Sequence, residues 1–144
     1  MLNLKFPEVK RFYRAAAAHL DAAQVLLEQC SSKVASTRGH EVVYLSGYVV
    51  ECAFKALLLS LYPRSQHEEL VDWFKTDVKH NLERLKNELI KKSVNFPKKQ
   101  IENLKWLVGM WSTEMRYDVR AWETADAKAV FQAASDLFDW IRGR

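Results

Sequence analysis

An almost uninterrupted apolar segment, roughly residues 41–62, most constrains what this chain can fold into. Near its centre it carries one isolated acid and one isolated base, Glu51 and Lys55. A helix that is apolar on nearly every side lies either in a membrane or in the middle of a helical protein. Each of the two charges costs about 2.5 to 3.5 kcal/mol at the centre of a bilayer. The segment therefore predicts the central helix of a bundle, and we expect no membrane span.

The composition supports an all-α fold. The chain of 144 residues contains four Gly and three Pro, too few for the tight turns that many short strands require. Its 49% of hydrophobic residues is far from the composition of disordered chains, and its length is typical of one domain. We therefore predict a single helical domain over residues 1–144.

Helical spacing recurs on both sides of the apolar segment. Before it, apolar residues from Val9 to Cys30 follow at alternating steps of four and three, which places them on one helical face. After it, Pro63 ends the central helix, and a short helical turn is expected over residues 70–74. Thr124 is the expected N-cap of the last helix. The inward positions of three further helices are Leu82, Leu85 and Leu89, then Ile101, Leu104, Leu107, Val108 and Trp111, then Ala127, Val130, Ala134, Leu137 and Ile141.

Charge and cysteine content limit the possible functions and the location of the protein less strictly. The formal net charge is +4, but the basic residues are spread along the chain, so charge alone is weak evidence for nucleic-acid binding. Two cysteines make no disulfide framework in a domain of this size. The first seven residues lack the pattern of a signal peptide. We therefore expect a cytoplasmic protein.

The sequence contains no recognisable metal or cofactor motif. There is no CxxC pair, and the segment that begins at His40 has Tyr44 where a zinc-binding HExxH motif has its second histidine. The glycines lie at positions 39, 47, 109 and 143 and form no phosphate-binding loop. We expect no metal and no cofactor.

Glu51 and Lys55 are four residues apart, with the acid one turn before the base, so they can pair along one helical face. Because nearly every neighbour is apolar, at least one of them is expected to be partly buried and to need another polar partner. Three interpretations stay open: a structural anchor between helices, the wall of a ligand pocket, or an exposed ion pair.

A second polar cluster lies over residues 111–123 and is rich in aromatic and charged side chains. Two guanidinium groups, from Arg116 and Arg120, lie close in sequence to Tyr117 and two tryptophans, an arrangement that can hold a phosphate and stack on a base. Alternatively, Arg116 reaches across to Glu51 and joins two helices.

Four segments resemble the HEPN family of small helical bundles. They are residues 15–23 in the first helix, residues 45–58 in the central helix, His80-Asn81-Leu82 at the start of the third, and Arg116-Tyr117 after the fourth. The central segment is the most specific of them, and together they cover nearly the whole chain. The resemblance implies an antiparallel four- to five-helix up-and-down bundle that forms a homodimer, often works beside a nucleotidyltransferase, and in some branches cuts RNA without a metal.

HEPN members that cut RNA carry an Arg followed, after four to six residues, by a His. Arg116 stands where that arginine is expected, but positions 121–123 are Ala, Trp and Glu. The pair Arg14 and His19 also fits the spacing, but five residues of helix rotate two side chains about 140° apart. Without the histidine, general acid/base catalysis loses a factor of about 10² to 10⁴. We therefore predict no catalytic residue.

The leading hypothesis is a non-catalytic binding module whose cleft holds a nucleotide, RNA or a partner protein. One alternative is a divergent ribonuclease that acts as the toxin of a toxin–antitoxin pair. Another is a structural subunit of a nucleotidyltransferase complex, in which the same polar residues only fix the register of the helices. The residues expected at the cleft are Glu51, Lys55, His80, Arg116, Tyr117 and Arg120.

Overall fold

The described part of the chain, residues 2–31 and 33–143 of a computed structural model, forms six α-helices and no β-strand. The helices are α1 (Pro7–Glu28), α2 (Thr37–Ser60), α3 (His67–Trp73), α4 (Leu82–Lys91), α5 (Lys98–Met110) and α6 (Thr124–Arg142). The shorter elements are two 3₁₀ turns, Arg64–Gln66 and Thr113–Arg116, and a π-helical turn, Phe74–Val78. The prediction of an all-α fold is confirmed.

The apolar helix α2 lies at the centre of the fold, as predicted. It packs against α1, α4 and α6, and every residue from 49 to 59 is buried. The helix begins four residues earlier than expected because Ser36 caps it, its hydroxyl accepting a hydrogen bond from the Gly39 N–H at 3.2 Å. It ends at Ser60, shortly before Pro63.

By length and composition alone, α2 could also cross a membrane. Its mean hydropathy reaches 1.6 in an 18-residue window, but 83% of that window is buried inside the fold. A buried core helix meets the same criteria of length and apolarity. The apolar character of α2 is therefore weak evidence for a membrane span.

The first helix packs on α2 through small side chains. Val9, Ala16 and Ala23 are fully buried, and Tyr13 packs against the core while partly exposed. The alternating steps of three and four therefore do mark one face of α1. Because alanine side chains are short, the backbone of α1 lies close to α2.

The chain between α2 and α4 holds more helix than predicted. In place of a short turn over residues 70–74, α3 begins at His67 and continues into the π-helical turn through Val78. One ring nitrogen of the buried His67 lies 3.1 Å from the Tyr62 carbonyl oxygen, and the other lies 3.3 Å from the Glu8 carboxylate. Since a buried polar side chain needs such partners, these contacts fix the start of α3.

Two details of the last helices differ from the prediction. Thr124 is not the N-cap of α6: Glu123 occupies that position, and the Thr124 hydroxyl donates a hydrogen bond to the Ser31 carbonyl. In α5, Val108 is exposed while Leu107 is buried, because adjacent residues lie about 100° apart around a helix. The predicted inward positions of α6 are all buried, namely Ala127, Val130, Ala134, Leu137 and Ile141.

The segment between α5 and α6 is tied to the start of α2. Ser36 and Trp122 exchange two backbone hydrogen bonds of 3.0 Å each. Gly39 permits this close approach, because a Cβ at position 39 would lie 2.9 Å from the Trp122 carbonyl oxygen. The bridge fixes one end of the segment that carries Arg116 and Arg120.

Candidate functional site

Glu51 and Lys55, which are buried in the apolar centre of the fold, form a polar group with the more exposed His80 of the turn before α4, and we name these three residues the charged cluster. Glu51 is 4% exposed and Lys55 is 6% exposed. One carboxylate oxygen of Glu51 accepts a hydrogen bond from Lys55 Nζ at 3.1 Å, and the other lies 2.7 Å from His80 Nδ1. Because a carboxylate only accepts hydrogen bonds, Nδ1 is the donor. Both oxygens of this buried acid are therefore satisfied.

Helical spacing explains why Glu51 and Lys55 meet, since side chains one turn apart are neighbours. Both are buried, so the interpretation as an exposed ion pair is wrong. The interpretation that Arg116 reaches Glu51 is also wrong. Among the ion pairs of the described residues, the second partner of the Glu51 carboxylate is His80. The turn before α4 brings the His80 side chain to this carboxylate.

The turn between α3 and α4 presents His80. Phe74 is buried, and its carbonyl accepts a hydrogen bond from the Lys79 N–H at 2.8 Å. Lys79 has a φ of 51°, in the left-handed region that side chains other than glycine rarely adopt. The side chain of Asn81 then caps α4 by accepting from the Arg84 N–H at 3.1 Å. His80 thus lies between two fixed helical ends.

A second set of contacts holds the same turn from its exposed side. Arg84 donates two hydrogen bonds to the Asp77 carboxylate, at 2.8 and 3.0 Å, and Trp73 Nε1 donates another at 2.9 Å. The hydrogen bond from Arg84, with a smaller contribution from Trp73, lowers the pKa of Asp77. The turn is therefore anchored to both α3 and α4.

Tyr48 is the centre of an aromatic group beside the charged cluster. Its ring makes edge-to-face contacts with Tyr44, Trp111 and His80, with centroids 5.1, 5.4 and 5.7 Å apart. Burial, helped by a hydrogen bond with the Tyr44 hydroxyl, raises the pKa of Tyr48, so its phenol is neutral at physiological pH. The sequence analysis did not identify Tyr48 as a residue of the site, although its position one helical turn before Glu51 could have indicated it.

Trp111 packs directly against α2 at Gly47. A Cβ at position 47 would lie 2.0 to 2.2 Å from three atoms of the indole ring, so only glycine leaves room for it. The indole Nε1 donates a hydrogen bond to the Tyr44 carbonyl oxygen at 2.9 Å. These contacts fix the start of the 111–123 segment on α2.

The same segment places Arg116, Tyr117 and Arg120 on the surface. Tyr117 is 77% exposed, and the Arg116 guanidinium lies 5.0 Å from its ring centroid. The Arg120 guanidinium lies 4.2 Å from the Trp122 ring centroid. The Arg116 charge weakly opposes the rise in the pKa of Tyr48.

His40 holds the main chain of this segment. Its Nε2 lies 2.6 Å from the Met115 carbonyl oxygen, and its Nδ1 accepts a hydrogen bond from the Arg120 N–H at 3.4 Å. Since Nδ1 accepts, the proton lies on Nε2, which donates to the carbonyl, so the ring is the neutral tautomer. The segment is therefore attached to the first half of α2 at Trp111, Met115 and Trp122.

Two cavities open beside His80, which lines both of them. The first, of about 410 Å³, is also lined by Asn81 at the start of α4 and by Trp111 after α5. The second, of about 430 Å³, lies between α1 and the turn after α3, and Lys55 lines it. Both fall in the range of small-molecule sites, about 300 to 1,000 Å³. Of the charged cluster, His80 thus lines both cavities and Lys55 lines the second.

The side chains around these cavities offer anion binding at lysines, stacking on aromatic rings and proton transfer at His80. Within residues 2–31 and 33–143, no three His, Cys, Asp or Glu side chains converge to hold a metal ion. No protein-family model matches this chain, and no curated protein or solved structure is significantly similar to it.

Proposed function

We propose that this chain is a non-catalytic, HEPN-like binding module that holds a nucleotide or RNA, or docks on a nucleotidyltransferase partner. The observation that carries the proposal is that His80, which is hydrogen-bonded to the buried Glu51, lines two cavities of ligand size, one of which Lys55 also lines. A buried ion pair on its own is often no more stable than apolar residues of the same volume. Here His80, which is hydrogen-bonded to Glu51 of the pair, also lines both cavities. This position supports a role in binding in addition to fixing the register of the helices.

The exposed arginine segment supplies a second reason. Tyr117 offers an open ring face, and Arg116 beside it offers a guanidinium, the two groups that hold a base and a phosphate in single-stranded nucleic-acid sites. The backbone of the segment that carries them is attached to α2, so a ligand would have to order only their side chains. The same segment begins at Trp111, which lines the first cavity beside His80.

The HEPN-like part of the proposal concerns the antiparallel up-and-down arrangement, a homodimer and a cytoplasmic location. Of the resembling segments, residues 15–23 lie in α1, residues 45–58 lie in α2, and His80 lies two residues before α4. Light scattering on the purified chain tests the dimer, and a strictly monomeric mass at high concentration would contradict it.

Thermal unfolding with added ligand tests the binding module. A ligand at 100 times its Kd stabilises the fold by about 2.7 kcal/mol, which raises Tm by several degrees in a chain of this size. We expect such a rise with millimolar nucleoside triphosphate or micromolar single-stranded RNA. Arg116→Ala should reduce the rise, and Arg38→Ala, at an exposed arginine outside both cavities and outside the 111–123 segment, should leave it unchanged. No rise with any of these ligands, together with no complex with a nucleotidyltransferase, would refute the proposal.

A second candidate, a metal-independent ribonuclease, is favoured by one contact. His80 Nδ1 donates to the Glu51 carboxylate, its side chain is 41% exposed, and Nε2 has no hydrogen-bond partner among the described residues. An imidazole that a carboxylate orients through one nitrogen, with the other nitrogen open, suits general acid/base catalysis. The family pattern places its histidine at positions 121–123, so His80 would act from a different element.

An RNA cleavage assay in EDTA tests this candidate. His80→Asn keeps a donor for Glu51 but removes proton transfer, so the rate should fall by a factor of about 10² to 10⁴. Arg38→Ala serves as the surface control. Intact RNA with the wild-type chain, or cleavage that His80→Asn leaves unchanged, would reject the ribonuclease.

A further inference from the structure

A separate cavity lies between α3 and α4, and we name it the α3–α4 cavity. It has a volume of about 240 Å³. Among the described residues, none that lines it also lines either of the cavities beside His80. A ligand bound here would therefore use residues other than those of the proposed site. The lining residues are Tyr62, Gln66, Glu69, Leu70, Trp73 and Glu88.

One side of α3 and of the turn before it forms most of this cavity. Gln66, Glu69, Leu70 and Trp73 follow at positions i, i+3, i+4 and i+7, the spacing that places side chains on one helical face. Leu70 is buried and joins the hydrophobic core, so this face of α3 is held in place. The two other lining residues come from α4 and from the segment after α2. The cavity therefore depends on the packing of three parts of the chain.

The two aromatic rings of the cavity already contact cations of the chain itself. The Lys92 ammonium lies 3.9 Å from the Tyr62 ring centroid, and the Arg84 guanidinium lies 5.6 Å from that of Trp73. Neither of these two basic side chains lines the cavity. Because the faces of an aromatic ring carry partial negative charge, they attract cations. Both rings are therefore suited to a further cation from outside the chain.

The charged side chains of the cavity are acidic. Glu69 and Glu88 line it, and the described lining residues include no Lys or Arg. Glu69 forms no ion pair within residues 2–31 and 33–143, and neither do Glu68 and Asp72 on the same helix. One oxygen of Glu88 accepts a hydrogen bond from Lys91 at 2.9 Å, which leaves the other oxygen for a ligand. In a chain of net charge +4, α3 thus carries uncompensated negative charge that attracts cations.

We propose that the α3–α4 cavity binds an arginine side chain of a partner protein. A guanidinium is planar and has five N–H donors, so it can stack on an aromatic ring while it donates to carboxylates. The chain itself contains this arrangement: Arg84 donates two hydrogen bonds to the Asp77 carboxylate while its guanidinium lies near the Trp73 ring. The cavity offers aromatic rings and carboxylates to a second guanidinium. An ammonium has three donors and no plane to stack, so lysine fits less well.

The size of the cavity favours one side chain over a whole small molecule. Its volume of about 240 Å³ lies below the range of small-molecule sites, about 300 to 1,000 Å³. Leu70 and the two rings offer apolar surface to the aliphatic stem of an arginine. Glu68 and Asp72 are exposed beside the cavity and would speed the approach of a basic partner. Arginine and aromatic residues are also enriched at protein interfaces. The inference goes beyond the proposed function, because it assigns a different surface and a different ligand.

Proton NMR of the full chain with matched peptides tests the ligand chemistry. Each peptide contains only Gly and Ser around a central arginine, lysine or citrulline, and the signal is the indole N–H of Trp73, identified by its absence from Trp73→Phe. The arginine peptide should shift this signal saturably and bind at least about threefold more tightly than the lysine peptide. The citrulline peptide has nearly the same shape without the charge and should bind at least about tenfold more weakly. A lysine or citrulline peptide that binds as tightly as the arginine peptide would overturn the guanidinium assignment.

A fourth probe, methylguanidinium, tests whether the occupant belongs to a protein. It has the charged group without the aliphatic stem and the peptide backbone, so it should bind at least about threefold more weakly than the arginine peptide. Equal affinity would overturn the partner protein and replace it by a small guanidinium compound.

Cavity variants test the location, and circular dichroism verifies that each one folds. Glu69→Gln changes an exposed side chain and should weaken binding of the arginine peptide by about 3- to 10-fold. Glu68→Gln is the matched control, because Glu68 is exposed on the same helix but does not line the cavity, and it should change the affinity by less than about twofold. Tyr62→Leu should weaken binding by at least about threefold, whereas Tyr117→Leu, at an exposed ring outside the cavity, should not change it.

The outcomes separate this inference from the proposed function. Binding that both Glu69→Gln and Tyr62→Leu leave unchanged would overturn the α3–α4 cavity as the site. No shift of the Trp73 signal with the arginine peptide at about 10 mM would overturn the inference altogether. Either result would leave the proposed function standing, because the cavities beside His80 are lined by other residues.

Discussion

The close contact between Gly47 and Trp111 predicts whether replacing Gly47 raises or lowers the free energy of unfolding. Replacing glycine by alanine inside a helix normally stabilises it, by about 0.5 to 1 kcal/mol, because alanine loses less conformational entropy on folding. Gly47→Ala should instead destabilise this fold. The added Cβ would lie 2.0, 2.1 and 2.2 Å from three indole atoms of Trp111, whereas ordinary contact begins at 3.4 Å.

The magnitude follows from what must move. Trp111 is buried, and displacing it into a packed surface costs about 1 to 3 kcal/mol. Its hydrogen bond to the Tyr44 carbonyl, 2.9 Å long, is also lost or stretched, at about 0.5 to 1.5 kcal/mol. Set against the helix gain, the net loss in the free energy of unfolding is about 1 to 3 kcal/mol.

Urea titration measures the change, and the chain offers a matched control. Gly109 also lies in a helix, but a Cβ there would meet nothing within 4 Å, so Gly109→Ala should stabilise by up to about 1 kcal/mol. In a Trp111→Ala background the penalty at Gly47 should nearly vanish, because the clashing ring is gone. Equal effects of the two glycine substitutions, or an unchanged penalty without the indole, would refute the reasoning.

Three further predictions rest on single residues. Ser36→Ala removes the cap of α2 and should lower the free energy of unfolding by about 1 kcal/mol in urea titration, while the exposed Ser65→Ala should change it by less than about 0.5 kcal/mol. Burial raises the pKa of the Cys52 thiol to about 12, so in the native protein a thiol reagent should modify the half-buried Cys30 first and Cys52 only on unfolding. Equal rates of modification of the two thiols in the native protein would contradict this. Burial lowers the pKa of His19 below its usual 6.5, so at this residue the unfolded chain binds a proton more tightly than the folded protein does. The contribution of His19 to stability is therefore complete above pH 6.5 and declines as the pH falls below that value. Proton NMR of the His19 ring checks the shift, and a value at or above 6.5 would contradict it.

The central helix and its ion pair could be predicted because their signals are local. The apolar run of α2 needs no knowledge of the rest of the chain, and the spacing of Glu51 and Lys55 is one helical turn wherever that helix lies. The helix boundaries were less predictable. The N-cap at Ser36 and the absence of a cap at Thr124 depend on how the chain enters each helix, which the Ser36–Trp122 bridge decides.

The sequence analysis named His80 as a residue of the same cleft, but its hydrogen bond to Glu51 could not be predicted, because it depends on long-range packing. His80 lies 29 residues from Glu51 in the sequence. The direction of its side chain is set by a π-helical turn and by the positive φ of Lys79, which no sequence pattern predicts. Arg116 was a plausible partner by type, yet its backbone is held on the surface. The cavity between α1 and the turn after α3 was missed for the same reason, since Arg11, Lys55 and the lysines of the turn come together only in the fold.

The three attachments of the 111–123 segment to α2 have a consequence for the timing of entropy loss. The backbone is held where Trp111 meets Gly47, where Met115 meets His40, and where Trp122 meets Ser36. Ordering a loop of this length during binding would weaken affinity, because each residue that is fixed costs about 1 to 2 kcal/mol. Here that ordering is complete once the chain has folded. An incoming ligand would need to immobilise only the side chains of Arg116, Tyr117 and Arg120.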